Sequence, residues 1–119
     1  MAETLLFQGV AVNPENGLRV RLGHNEETLS DTKTLTPQDA QFQVLDAGTG
    51  GNTVVLPAEE ASQGLFFVFN NNSAGSDDLT IEDDNGDEVT VFAQHRVGIV
   101  ACDGSSWISA IGKVTTDNA

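Results

Sequence analysis

Several residue types are scarce in this sequence, and each scarcity excludes a class of structure. Cys102 is the single cysteine, so the chain cannot form an internal disulfide. We therefore expect it to fold in a reducing cytoplasm and to be stabilised by packing or by oligomerisation. Tyrosine is absent, and the single tryptophan, Trp107, has no second aromatic residue near it in the sequence. Because one ring makes a poor platform for binding sugars, we expect Trp107 to be a core residue.

Positive charge is scarce as well. The 119 residues include 5 basic and 18 acidic side chains, which gives a formal net charge of −13. Such a charge opposes binding to phosphate backbones and to anionic membrane surfaces, so neither nucleic acid nor a membrane is an expected partner. The N-terminus lacks the basic segment that is typical of a signal peptide. No apolar run approaches the roughly 20 residues that a membrane helix needs.

The sequence has no pattern typical of an enzyme or of a metal site. His24 and His95 are the only histidines, and no cysteine or acid lies near them at metal-ligand spacing. We expect Cys102 to be a small buried thiol rather than a nucleophile, because His95 lies one hairpin away at best. The motifs of nucleotide-binding loops and of nucleophile elbows are absent. The prediction is a protein with no enzymatic activity, no cofactor and no metal ion.

The acidic segment Glu82–Glu88 admits two interpretations. Its carboxylates could bind calcium, which prefers several oxygen ligands. The spacing of the EF-hand loop is not met, however, because the position five residues before Gly86 is Ile81 rather than an acid. Asn85-Gly86 is the strongest short hairpin signal in the chain. We therefore expect a solvated hairpin turn between two strands here.

Strand-forming runs, separated by Gly, Asn, Asp and Ser clusters, fill the second half of the chain. They are Val54–Leu56, Leu65–Phe69, Leu79–Glu82, Glu88–Phe92, Val97–Cys102 and Trp107–Ile111. This spacing predicts an all-β fold, an antiparallel β-sandwich or β-barrel-like domain, with at most one short helix at Pro57–Gly64. The continuous apolar run Leu65–Phe69 is predicted to be a central strand buried on both faces. The predicted organisation is an N-terminal arm at residues 1–12, a single β domain at 13–111 and a flexible tail at 112–119.

The N-terminal segment carries the candidate partner contacts. Leu5–Val12 is apolar and has the composition of a strand. A turn at Asn13–Gly17 then reverses the chain into a strand in which apolar residues alternate with Arg19 and Arg21. The two arginines either form a solvated face or contact an acidic neighbour such as another copy of the chain. The polar segment Gly23–Gln38 is predicted to be an exposed loop that is also available to a partner. The candidate contact residues are Leu5, Leu6, Phe7, Val10, Arg19 and Arg21.

The segments between Thr53 and Ile111 also follow a recognisable order. They are Val55-Leu56-Pro57, Gly64–Asn70, Leu79-Thr80-Ile81, Val89-Thr90-Val91 and Cys102-Asp103-Gly104-Ser105-Ser106-Trp107. This order resembles small structural proteins of tailed bacteriophages, among them capsid decoration proteins and domains of head or tail fibres. The resemblance covers about half of the chain. It implies a virion protein without enzymatic activity, made in the host cytoplasm and placed on the capsid surface, often as a homotrimer bound to the major capsid protein.

Within that group, the shortness of the chain favours a decoration protein. Fibres usually carry a long shaft or a coiled coil, and this sequence has no heptads or internal repeats. The corresponding hypothesis is that the protein cements the capsid, with the Leu5–Val12 arm adding apolar surface and free strand hydrogen bonds to the shell protein. The alternative is a receptor- or glycan-binding module of a fibre. That function would need an exposed pocket in the loops Gly23–Gln38 or Asn70–Asp78.

Overall fold

The computed structural model of the chain describes residues 10–13 and 17–113, and it shows an all-β fold, as the sequence predicts. The strands, numbered in chain order, are β1 (Val10–Asn13), β2 (Gly17–Val20), β3 (His24–Thr28), β4 (Lys33–Thr34), β5 (Phe42–Asp46), β6 (Asn52–Val55), β7 (Phe66–Asn71), β8 (Leu79–Glu82), β9 (Glu88–Phe92), β10 (Arg96–Cys102) and β11 (Trp107–Lys113). A single turn of 3-10 helix, Glu59–Ala61, precedes β7. Within the described ranges, no helix has the length and apolar character needed to cross a membrane.

The described strands form two larger sheets and one separate hairpin. The five-stranded sheet has the order β11-β10-β7-β5-β3, the four-stranded sheet has the order β4-β6-β8-β9, and β1 pairs with β2. From β3 to β8 the chain alternates between the two larger sheets, so each strand lies parallel to the strand two places before it. β9 then pairs antiparallel with β8, and β10 returns to the first sheet, antiparallel to β7. β11 forms a final antiparallel hairpin with β10.

The parallel pairings correct the prediction of an antiparallel domain. Parallel neighbours require a crossover, which in most proteins passes through a helix of a dozen or more residues. Here each crossover passes through a strand of the opposite sheet, so short strands and tight turns suffice. The two sheets are mixed, and each ends in two edge strands. The fold is therefore sandwich-like and not a closed barrel.

Side chains from both sheets fill the space between them. The buried core consists of Leu29, Leu35, Leu45, Ala47, Val54, Leu56, Phe67, Phe69, Leu79, Ile81, Phe92, Val100, Cys102 and Trp107. Aromatic rings form a continuous series through it, with centroid distances of 5.8 Å from Phe92 to Phe69, 6.2 Å from Phe69 to Phe67 and 6.0 Å from Phe67 to Trp107. The Trp107 side chain is 7% exposed, and its indole N–H donates to the carbonyl oxygen of Pro57 at 3.1 Å. The predicted role of Trp107 as a core residue is confirmed, and burial of a side chain of this size stabilises the fold by about 1.5–3 kcal/mol.

The segment Gly23–Gln38 is exposed over most of its length, as predicted, but the prediction of a loop is wrong, because the segment contains β3 and β4. Both are edge strands, where polar residues such as those of β3 are tolerated because one side of the strand is left without a neighbour. The two leucines of the segment, Leu29 and Leu35, are buried in the core and anchor it. In both cases the apolar residue follows the strand instead of lying within it. The strands themselves therefore lack the apolar residues by which a strand is recognised in a sequence.

An ion pair joins the edges of the two sheets. Lys33 Nζ of β4 lies 2.7 Å from Glu27 Oε2 of β3. The hydrogen bond from Lys33, with a second from Asn25, lowers the pKa of Glu27 below its ordinary value. Both side chains are partly exposed, so the pair contributes only about 0–1 kcal/mol to stability.

The helix signal at Pro57–Gly64 produces only the 3-10 turn Glu59–Ala61. Ala58 occupies the N-cap position and has no side-chain oxygen that could accept a hydrogen bond from the first turn. Gly64, with φ of 82°, then turns the backbone out of any helical path. Without caps, so short a segment cannot offset the cost of nucleating an α-helix.

The hairpin predicted at Asn85-Gly86 forms, and the predicted strands Val97–Cys102 and Trp107–Ile111 also pair as a hairpin, which is longer than expected. The Asn85-Gly86 turn joins β8 to β9, and the turn after Cys102 joins β10 to β11. β11 continues to Lys113, two residues beyond the predicted domain boundary at residue 111. At the other end, residues 10–12 of the predicted arm belong to β1, while Leu5–Gly9 lies outside the described residues.

Candidate functional site

The described candidate contact residues lie on or next to the β1–β2 hairpin. Val10 pairs with Val20 and Arg19 pairs with Ala11, so the structure places two of the predicted residues in one small sheet. Arg21 follows β2 directly and is exposed. Val20 is also exposed, at 63% of its full area. Among the described strands, β1 and β2 pair only with each other and with neither larger sheet. Of the remaining candidates, Leu5, Leu6 and Phe7 lie outside the described residues.

The side of the five-stranded sheet that faces away from the core is strongly apolar. Successive strand residues point to opposite sides of a sheet, and in β7 Phe67 and Phe69 are buried in the core while Phe66 and Val68 are only half-buried. The prediction that β7 is buried on both faces is therefore met on one side only in the single chain. We call this opposite side the outer face. Its apolar residues are Phe42, Val44, Phe66, Val68, Val97, Ile99, Ala101, Ile108 and Ala110.

Strand register aligns seven of these residues into two uncharged rows, while Val44 and Val97 lie in a third row with Glu26 and Asn70. One row crosses four strands, because Phe42 pairs with Val68, Val68 with Ile99, and Ile99 with Ala110. The second row crosses three strands, since Phe66 pairs with Ala101 and Ala101 with Ile108. Ile99 is 44% exposed and Ile108 is 59% exposed. The charged residues of this side, Glu26 and Asp46, sit at its β3 and β5 margin. At the same margin the His24 ring packs 5.5 Å from that of Phe42.

The corresponding side of the four-stranded sheet has a different composition. Its cross-strand rows are Thr53, Thr80 and Val91, and Thr34, Val55 and Glu82. Threonine and valine with an acid at the end of a row are typical of a half-solvated sheet surface. Contiguous exposed apolar surface, in contrast, marks an interaction site in soluble proteins. The two outer sides of the sandwich are therefore not equivalent.

The acidic hairpin is organised by the carboxylate of Asp83. Asp83 Oδ1 accepts hydrogen bonds from the backbone N–H groups of Asn85 and Asp87, at 2.9 Å each. Gly86 adopts φ of 87°, as a tight turn requires. Within the described residues, no group of three or more His, Cys, Asp or Glu side chains could hold a metal ion. The geometry supports the hairpin interpretation, because one oxygen of Asp83 is already engaged in shaping the turn.

Negative charge is concentrated where this hairpin meets the 3-10 turn. The backbone N–H of Glu59 lowers the pKa of its own carboxyl, but desolvation, Asp84 and Asp83 outweigh this effect. The pKa of Glu59 is consequently raised above its ordinary value. Glu59, Asp83 and Asp84 thus form a local concentration of negative charge at this turn.

The thiol of Cys102 is hydrogen-bonded to backbone groups in the core. Its thiol donates to the carbonyl oxygen of Glu59 and accepts from the backbone N–H of Gly104, each at 3.4 Å. The residue is buried in the core, which confirms the prediction of a small buried thiol. The hydrogen-bond partners of the sulfur are backbone groups, so no general base is in place to activate it.

A buried polar cluster that the sequence did not indicate lies at the end of β7. Asn71 Nδ2 donates to the carbonyl oxygens of Asp77 at 2.9 Å and Phe92 at 2.7 Å, and Asn71 Oδ1 accepts from the backbone N–H of Ser73 at 3.1 Å. Ser73 Oγ in turn accepts from the backbone N–H of Ala47 at 2.7 Å. These bonds tie β5, β7 and β9 together across the two sheets. Every buried side-chain nitrogen and oxygen of the described residues has a partner, so the cluster is structural.

No protein family, curated protein or solved structure matches this chain. The resemblance of the Thr53–Ile111 segments to phage structural proteins therefore stays a prediction. The geometry leaves two surfaces available for function, the separate β1–β2 hairpin and the apolar outer face of the five-stranded sheet.

Proposed function

We propose that this chain is a non-enzymatic structural protein of a tailed-bacteriophage virion, which decorates and stabilises the capsid as a small oligomer, a homotrimer by analogy. The observation that carries the proposal is the division of the described chain into a sandwich-like domain and a separate β1–β2 hairpin at its N-terminal end. A self-contained domain that follows an apolar segment of strand composition is suited to bind a shell surface by adding strand and apolar contacts. The segment order from Val55 to Trp107 supports the choice of a virion protein.

The chemistry of the described residues favours a structural role over catalysis. Asp83 and Asp103 accept hydrogen bonds from the backbone of their own turns, and the Cys102 thiol is bonded to the backbone. No nucleophile–base pair can be named among the residues that the structure describes. Repeated on a lattice, many weak contacts would act together, because each bound copy adds to the stability of the shell.

A receptor- or glycan-binding fibre module is less well supported. Trp107, the single tryptophan, is buried, so it is not available to stack on a sugar. Of the two loops predicted to hold a pocket, one forms the edge strands β3 and β4. The other contains Asn71 and Ser73, whose side chains are committed to the buried cluster.

The direct test uses capsids assembled without this chain. We expect the full chain to bind them saturably, at a fixed ratio to the major capsid protein. The variant Leu5→Ser, Leu6→Ser, Phe7→Ser should bind at least about tenfold more weakly, equivalent to ~1.4 kcal/mol, because it removes apolar surface from the arm. The control Glu3→Ser, Gln8→Ser changes the same segment without removing large apolar groups.

The test distinguishes decoration of the capsid from the proposed role of the arm. If the full chain does not bind capsids, the proposed decoration function is wrong. If the full chain binds but the apolar variant binds equally well, decoration stands and the role of the arm is wrong. Equal loss of binding in the control variant would also contradict an apolar contact at Leu5–Phe7.

A further inference from the structure

The apolar outer face of the five-stranded sheet is uncovered in the single chain. Ile99 and Ile108, 44% and 59% exposed, lie in neighbouring rows of β10 and β11, and no charged residue interrupts either row. A soluble chain with a net charge of −13 would be expected to place acids on any surface that faces water permanently. The other side of the sandwich does have threonines and an acid in its rows. We therefore expect another protein surface to cover the outer face.

The size of the face limits what can cover it. Five strands about 4.8 Å apart span roughly 20 Å, and five residues along a strand at about 3.3 Å each span roughly 17 Å, which gives a planar area of about 330 Å². A stable protein–protein interface buries about 800 Å² on each partner. The face alone is too small for a stable dimer. A second surface must contribute.

The β1–β2 hairpin is the available second surface. A two-stranded hairpin is marginal on its own in water, and among the described strands this one pairs with neither larger sheet. Three residues, 21–23, connect it to β3, which is an edge strand of the same five-stranded sheet. Val20 of the hairpin and Ile108 of the face are both mostly exposed in the same chain, so these two residues do not bury each other.

The distribution of charge along the chain favours a second copy of the chain as the partner. Between residues 10 and 23 the chain has Arg19 and Arg21 against a single acid, Glu15. The remainder of the chain from residue 24 has three basic and sixteen acidic residues. The hairpin of one copy is therefore complementary to the body of another, and the two uncharged rows of the face are where two acidic chains can approach with least repulsion.

We propose that a second copy of this chain docks on the apolar outer face of the five-stranded sheet, with the β1–β2 hairpins completing the interface. The proposal deepens the proposed function by naming the surface through which the oligomer assembles. It rests on that function only for the setting, because the association can be measured with the purified chain alone. The hairpin supplies the basic charge and additional area, and the face supplies the uncharged apolar rows.

The test is the mass of the full chain in solution, measured by size-exclusion chromatography with light scattering from about 1 µM to about 100 µM. We expect a multiple of 12.6 kDa for the natural chain. Ile99→Glu with Ile108→Glu should give the 12.6 kDa monomer or raise the dissociation constant at least about tenfold. Val55→Glu with Val91→Glu places the same two charges on the outer side of the four-stranded sheet, and this control should keep the mass of the natural chain.

Circular dichroism and urea unfolding establish that each variant is folded. If the double variant does not fold, the single variants Ile108→Glu and Val20→Glu replace it, because both side chains are already mostly exposed. A natural chain that is monomeric throughout the range would overturn the proposal. So would a folded face variant with the mass of the natural chain, or a control that dissociates as readily as the face variant.

The association experiment and the capsid test can fail independently of each other. A monomer that binds capsids would leave the decoration function standing and refute the self-association surface. An oligomer that dissociates on face substitution but does not bind capsids would support the surface and refute decoration.

Discussion

Replacing Asn71 with alanine should be among the most destabilising single changes in this chain. Asn71 is fully buried, and its side chain satisfies the carbonyl oxygens of Asp77 and Phe92 as well as the backbone N–H of Ser73. Alanine leaves these three backbone groups buried without their partners. At about 1 kcal/mol or more for each, with a further contribution from the vacated volume, the loss is about 3–5 kcal/mol. Since small domains are stable by only about 5–15 kcal/mol, this is a large fraction of the total.

The assay is urea unfolding followed by the fluorescence of Trp107, which is buried in the folded state and is the single tryptophan. The midpoint should fall with little change in the slope of the transition. Asn72→Ala is the matched control, because Asn72 is the next residue and is exposed, and we expect its effect to be within about 0.5 kcal/mol. A loss below about 1 kcal/mol for Asn71→Ala, or an equal loss in both variants, would refute the role assigned to the buried cluster.

Two further predictions concern turns. Gly48 has φ of 81°, and a Cβ there would lie 2.2 Å from the carbonyl oxygen of Leu29, whereas Gly50 has φ of 85° and no atom within 4 Å of such a Cβ. Gly50→Ala should cost about 1–2 kcal/mol from backbone strain alone, and Gly48→Ala clearly more, measured by the same urea titration; equal losses would contradict the close approach. Asp103→Ala should lower the melting temperature at neutral pH, because the backbone N–H groups of Ser105 and Ser106 lower the pKa of Asp103 below 3.8. A lowered folded-state pKa stabilises above 3.8, and this contribution is lost as the pH falls through the folded-state value, so the difference in melting temperature should shrink in acid; a constant difference would contradict it.

The fold class and the two later hairpins could be predicted because their signals are local. Asn85-Gly86 favours positive φ at the turn, and the flanking runs have strand composition, so neighbouring strands follow directly from the sequence. The parallel pairing of β5 with β7 has no local signal. It depends on β6, which lies between them in the chain and crosses through the opposite sheet.

Two other features could not be predicted, because in both of them polar residues occupy positions where apolar residues are more usual. The β3 sequence His24–Thr28 is polar throughout and reads as a loop, but an edge position needs little apolar content when Leu29 anchors the strand in the core. Asn71 and Ser73 lie in a run of turn-forming residues, so nothing in composition separates them from their exposed neighbour Asn72. Only the packing of the two sheets shows which of them are buried.

The outer face could in principle have been found from the sequence. Leu65–Phe69 and Val97–Cys102 are apolar without alternation, which indicates burial on both faces. What the sequence does not show is that these two runs lie side by side as β7 and β10. Because β7 and β10 are neighbours, the apolar residues on their outer side form one continuous surface.

The proposed function requires that a phage genome encodes this chain, and its most direct test is the protein composition of purified virions of such a phage. Quantitative mass spectrometry of the virion should find the chain at a fixed ratio to the major capsid protein, in a copy number that matches repeated positions on the shell. Its absence from virions would contradict a structural role in the particle. Its presence in only a few copies would contradict capsid decoration and favour the fibre alternative.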